Sequence, residues 1–77
     1  MYKYEIQFLG RTKDDFDRHM ATAAKTEPAG KMEFKSYYFA GIRGLIVFLE
    51  QKGDRDAILN AVPHHELVGA WQIGKAA

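Results

Sequence analysis

The chain has 77 residues, 47% of them apolar and 27% charged, which at this length supports one modest hydrophobic core and no second domain. It contains no cysteine, which excludes a disulfide framework, a thiolate metal site and a cysteine nucleophile. Eleven basic residues against ten acidic ones leave a net charge of +1, too little for the electrostatic footprint of a nucleic-acid or anionic-membrane binder.

From Tyr2 to Leu9 the pattern alternates, with Tyr2, Tyr4, Ile6 and Phe8 on one face and Lys3, Glu5 and Gln7 on the other. Period two with β-favouring aromatics predicts a half-buried strand, ended by Gly10. Thr12 followed by Asp15 resembles a capping box with a shortened acid, and Asp14, Asp15 and Asp17 suit the positive end of a helix. Behind them Phe16, Met20, Ala23 and Ala24 form one stripe, predicting an amphipathic helix from Lys13 to about Lys25. Pro28 and Gly30 mark a loop.

Met32 to Phe39 reads as a second strand, with Met32, Phe34, Ser36 and Tyr38 on one side and Glu33, Lys35, Tyr37 and Phe39 on the other. Ala40-Gly41-Ile42 supplies a turn, and Arg43 to Glu50 completes an antiparallel hairpin. Gly53 and Asp54 cap a short helix over Arg55 to Ala61 whose inward residues are Ile58, Leu59 and Val62. Pro63 ends it, because the residue before proline is pushed out of the α region. Glu66 to Ile73 sets Leu67, Gly69, Trp71 and Ile73 against Val68, Ala70 and Gln72 as a last strand. The longest apolar run, Leu45 to Leu49, is far short of the ~20 residues that span a bilayer. Met1-Tyr2-Lys3-Tyr4-Glu5 is not an export signal, so a cytoplasmic protein is expected.

The order strand, helix, strand, strand, helix, strand predicts an α+β, ferredoxin-like βαββαβ fold: a four-stranded antiparallel sheet with two helices on one face. The other face starts bare. In the third strand Leu45, Val47 and Leu49 lie on one side and Ile46 and Phe48 on the other, so either orientation leaves apolar groups on the open face. The second strand adds Tyr37 and Phe39, or else Tyr38 and Phe34. Such a patch calls for a cover, and a second copy related by a two-fold axis is the commonest one. Tyr37, Phe39, Leu45, Val47 and Trp71 are the candidate interface or ligand-contacting residues.

His64-His65-Glu66 is the most conspicuous polar cluster. In an extended segment His64 and His65 point to opposite sides and do not chelate one ion together, so no metal is assigned. His64 and Glu66 share a side, and His19 on the first helix is available as a third ligand or a proton relay. Either His64 or His65 titrates in the range that suits a general base; the ordinary role of the cluster is a polar turn against the negative end of a helix. Arg43, beside Tyr37 and Tyr38, carries a planar fork that matches a carboxylate or enolate oxygen. His64, His65, Arg43 and Tyr37 are therefore the candidate catalytic residues, and no cofactor is called for.

Arg43-Gly44-Leu45-Ile46-Val47-Phe48-Leu49-Glu50 opens like the third-strand octamer of RNA-recognition motifs. The places where those motifs stack bases hold Leu45, Val47 and Glu50, which argues against nucleic acid as a partner. No Cys-x-x-Cys and no Asp-x-Pro-Gly turn after the first strand points to the other specialists of this topology.

The chain resembles the dimeric α+β barrel superfamily, in its general pattern the muconolactone isomerase-like and small monooxygenase-like branches. The resemblance rests on Gly30-Lys31, on the hairpin joining Tyr37-Tyr38-Phe39-Ala40-Gly41 to Leu45-Ile46-Val47-Phe48-Leu49, and on Ala61-Val62-Pro63. It implies a homodimer whose sheets pack face to face, with a pocket for a small organic molecule and often no metal or cofactor. Two readings follow: a homodimer that binds or isomerises a small organic molecule, or a non-catalytic module that docks another protein on its open sheet face.

Overall fold

Alternation alone does not set a sheet's register; the pairing of β1 (Tyr4–Leu9), β2 (Met32–Phe39), β3 (Ile42–Leu49) and β4 (Leu67–Gln72) does. In the computed structural model, which describes residues 2–74 and every side chain among them except those of Phe39 and Ile42, the strands run antiparallel in the order β2-β3-β1-β4. Helix α1 (Lys13–Lys25) joins β1 to β2, and α2 (Lys52–Ala61) follows β3, giving the ferredoxin-like α+β topology. No helix among the described residues is long and apolar enough to cross a membrane.

The core lies between sheet and helices. Tyr4, Ile6 and Phe8 of β1 and Leu45, Val47 and Leu49 of β3 are buried beside Ala23, Ile58 and Val62, with Met32, Phe34, Phe16 and Leu67 packed at the margin. Pairing Ile6 with Val47, and Val47 with Phe34, aligns one apolar row across three strands. This assigns the faces of β3: Leu45 and Val47 belong to the core, and Ile46 and Phe48 are the apolar residues that β3 gives to the open side. The expectation that Leu45 and Val47 contact a ligand or partner is corrected by that register.

Several local expectations need correction. The core stripe of α1 is Phe16, His19 and Ala23, with His19 1% exposed, whereas Met20 is 39% exposed. Tyr2 does not continue the alternation of β1; its ring lies 6.0 Å from that of Phe48. The N-cap of α2 is Gln51, so Gly53 and Asp54 stand inside the helix. Asp54 is buried there and accepts hydrogen bonds from the amides of Ala29 (2.9 Å) and Gly30 (2.9 Å), while Glu50 accepts from the amide of Lys31 (2.9 Å). Two carboxylates thus clamp the loop that enters β2. In β4 the register shifts between Gln7 and Phe8, which pair with Gly69 and Leu67 and leave Val68 as a bulge. Leu67 therefore turns to the core while Trp71 stays on the open face, and the single alternation over the whole strand does not hold.

The β2–β3 hairpin turns at Ala40-Gly41, with φ of 52° and 79°. Positive φ at both positions matches the right-handed twist of the strands it joins. Glycine adopts it freely; alanine does so against its Cβ.

Candidate functional site

Pairing Leu9 with Gly44 brings the end of β1 beside the start of β3, with the hairpin turn close by. A cleft of about 530 Å³ opens at this end of the domain, lined by Leu9, Arg11, Tyr38, Gly41 and Arg43. Two cavities of about 310 Å³ adjoin it. One shares Tyr38 and Arg43 and adds Phe16, Ser36 and Tyr37. The other shares Leu9 and Arg11 and adds Asp15, His65 and Glu66.

Charge is distributed unevenly around these walls. Arg18 donates to Asp15 Oδ1 (3.1 Å) and to Glu66 Oε2 (2.7 Å). Asp15 also completes the capping box of α1, accepting from the amides of Arg11 (2.9 Å) and Thr12 (3.3 Å) while its own amide donates to Thr12 Oγ1. The Arg11 amide, more than the Arg18 guanidinium, holds the Asp15 carboxyl below the usual carboxylate range. The Arg18 hydrogen bond does the same for Glu66. Arg11 and Arg43 form no ion pair with a carboxylate among the described residues. The Arg43 guanidinium instead lies 5.7 Å from the ring centre of Tyr38, which is 69% exposed.

Glu66 is the hub of the histidine cluster. Its Oε2 lies 3.0 Å from His19 Nε2, and its Oε1 3.4 Å from His65 Nε2. His19 Nε2 also lies 3.0 Å from the carbonyl oxygen of Leu9, the acceptor that selects the Nε2–H tautomer. Its Nδ1 is buried with no hydrogen-bond partner among the described residues, and its ring stacks on Phe8 at 4.9 Å. The segment His64–Glu66 is a 3-10 turn and not extended chain, which reverses the expected pairing. His65, not His64, stands against Glu66, and His64 is exposed. Among the described residues no group of histidines and carboxylates is arranged to hold a metal ion.

Of the candidate catalytic residues, the fold brings Arg43 and Tyr37 to one cavity and His65 to another, with Leu9 and Arg11 between them. Trp71 lies on the open sheet face, and the Phe39 side chain lies outside those described. Arg11 was not legible as a site residue, and His19, expected as a relay, was not legible as part of the buried stripe of α1. Arg11 reads as a loop cation until β1 is paired with β3. His19 carried a usable signal, since Phe16, His19 and Ala23 share helical spacing.

The open face is organised in cross-strand rows. Trp71, Glu5, Phe48 and Glu33 form one, and Gly69, Gln7, Ile46 and Lys35 the next. Glycines leave room for rings: a Cβ on Gly44 would fall 2.0 Å from the Tyr37 ring, and one on Gly69 2.6 Å from that of Trp71. Lys35 Nζ sits 5.7 Å over Phe48. Trp71 nevertheless keeps 46% of its surface exposed, and Leu9 38%.

No protein-family model, curated protein or solved structure matches the chain.

Proposed function

We propose that the chain is a homodimeric α+β barrel protein that binds a small organic molecule, two copies packing open sheet face against open sheet face. The observation that carries this reading is the apolar and aromatic surface opposite the helices: Tyr37 of β2, Ile46 and Phe48 of β3 and Trp71 of β4, with Trp71 46% exposed. An apolar, aromatic face between polar residues is what an interface core needs. The face also carries both signs of charge, Lys35 in one row and Glu5 and Glu33 in the next, which a self-complementary two-fold contact can use.

The clefts at the Leu9–Gly44 end supply the binding volume, and their sizes lie in the range of small-molecule sites, roughly 300–1,000 Å³. For an isomerisation the candidates are His65, beside Glu66, as the imidazole that moves a proton and Arg43 or Tyr37 as the group that meets developing negative charge, the two sides lying in cavities separated by Leu9 and Arg11.

Light scattering on the chain and on a Phe48→Glu variant tests the assembly. The expected result is a particle of twice the 8.8 kDa protomer for the unaltered chain and a single protomer for the variant. An unaltered chain that scatters as a protomer overturns the dimer and leaves the open face to a different protein.

A further inference from the structure

The cleft between Arg11 and Arg43 has a chemistry that narrows its ligand. Arg18 and Arg55 are engaged by carboxylates: Arg18 by Asp15 and Glu66, and Arg55 by Asp56 at 2.9 Å. Arg11 and Arg43, the remaining arginines, line one cleft of about 530 Å³ and pair with no carboxylate among the described residues. A guanidinium presents a planar fork of donors, and a carboxylate answers it with matched acceptors. The rest of the lining is apolar or aromatic: Leu9, 38% exposed, and the ring of Tyr38, 69% exposed and held under the Arg43 guanidinium. Phe16 continues that surface into the adjoining cavity.

We infer that this cleft binds a small organic acid, its carboxylate between Arg11 and Arg43 and its apolar body against Leu9 and the Tyr38 ring. The inference deepens the proposed binding role and rests on the chain's taking a small organic molecule; it does not depend on what covers the open sheet face. The nearest acids do not compete for the two guanidiniums. Asp15 is occupied by two backbone amides and Arg18, and Glu66 by Arg18 and His19. The guanidinium forks fit phosphate too, but the cleft adds no free amides of Arg11 or Thr12 to hold it. Backbone amides at a helix start make a phosphate cradle, but the amides of Arg11 and Thr12 already donate to Asp15.

The test is a titration of the full-length, isotopically labelled chain with benzoate, followed by amide chemical shifts, with benzamide and inorganic phosphate as separate arms. The expected result is saturable shifts at Leu9, Arg11, Gly41 and Arg43. Benzamide and phosphate should each bind at least tenfold more weakly, and Arg11→Gln and Arg43→Gln should each weaken benzoate at least tenfold while keeping the dispersed spectrum of the folded chain. Saturable benzoate shifts elsewhere, or undiminished binding by both variants, overturn the site and leave the binding role standing. Benzamide binding as tightly as benzoate overturns the ion-pair chemistry, and phosphate binding as tightly overturns the choice of carboxylate. The absence of saturable shifts with any of the three ligands overturns the site together with the binding role beneath it.

Discussion

His19 Nε2 and Glu66 Oε2 meet at 3.0 Å, joining the middle of α1 to the turn that enters β4. The imidazole is buried, and the carboxylate is shared with Arg18. Replacing His19 with Ala removes a ring stacked on Phe8 and opens a cavity, at a cost of about 2–4 kcal/mol. Glu66→Gln keeps the shape and forfeits charge-assisted bonds, costing about 1 kcal/mol, because His19 retains the Leu9 carbonyl. Urea unfolding of the two single variants and the double variant measures both costs and their coupling, which should be non-additive for residues in contact.

Acid stability follows from the same cluster. The carboxyls of Asp15 and Glu66 are held below their ordinary range in the folded chain, Asp15 first by the Arg11 amide and Glu66 first by Arg18. The unfolded chain then binds more protons across the carboxylate range, so this stabilisation is complete above the unfolded pKa values. It is lost as pH falls below the ordinary carboxylate range and through the lowered values of the folded chain. Melting temperature should fall over that window, and Arg18→Gln should flatten the fall. An unchanged profile in the variant removes Arg18 as a cause.

Asp54 is the structural carboxylate of α2. Asp54→Ala strips the Ala29 and Gly30 amides of their acceptor in a part-buried site and should cost about 2–3 kcal/mol. Asp56→Ala, which breaks an exposed pair with Arg55, should change stability by no more than about 1 kcal/mol. Denaturant midpoints of the two variants make the comparison.

Ala40 carries a φ of 52° at the first turn position of the hairpin. Asn tolerates that conformation better, and Asn-Gly is the favoured pair for this turn. Ala40→Asn should stabilise by about 0.5–1 kcal/mol, read as a melting temperature higher by several degrees; a lower melting temperature would show that the turn is held otherwise.

The topology was legible because Ile6, Phe8, Phe34 and Leu49 obey period two and Thr12–Asp15 opens α1 with a cap that forms as its residue types predict. What was not legible depends on contacts between distant segments. Nothing in Leu45-Ile46-Val47-Phe48-Leu49 says which side meets the helices, since both are apolar; pairing with β1 and β2 decides it. The bulge at Val68 and the 3-10 turn at His64–Glu66 each rotate a side chain away from where simple alternation puts it. The Arg11–Arg43 cleft exists only because Leu9 pairs with Gly44, and that register is silent in a linear reading.

A second copy on the open face keeps Trp71, Phe48 and Ile46 from water in solution. Line broadening by a neutral, soluble gadolinium chelate reads this directly at the Trp71 indole N–H and the amides of Ile46 and Phe48, in the unaltered chain at millimolar concentration. A sheet-to-sheet dimer predicts that these signals are protected while those of the exposed hairpin around Tyr38 and Gly41 are bleached. If Trp71, Ile46 and Phe48 broaden as strongly as the hairpin, no second copy covers the face.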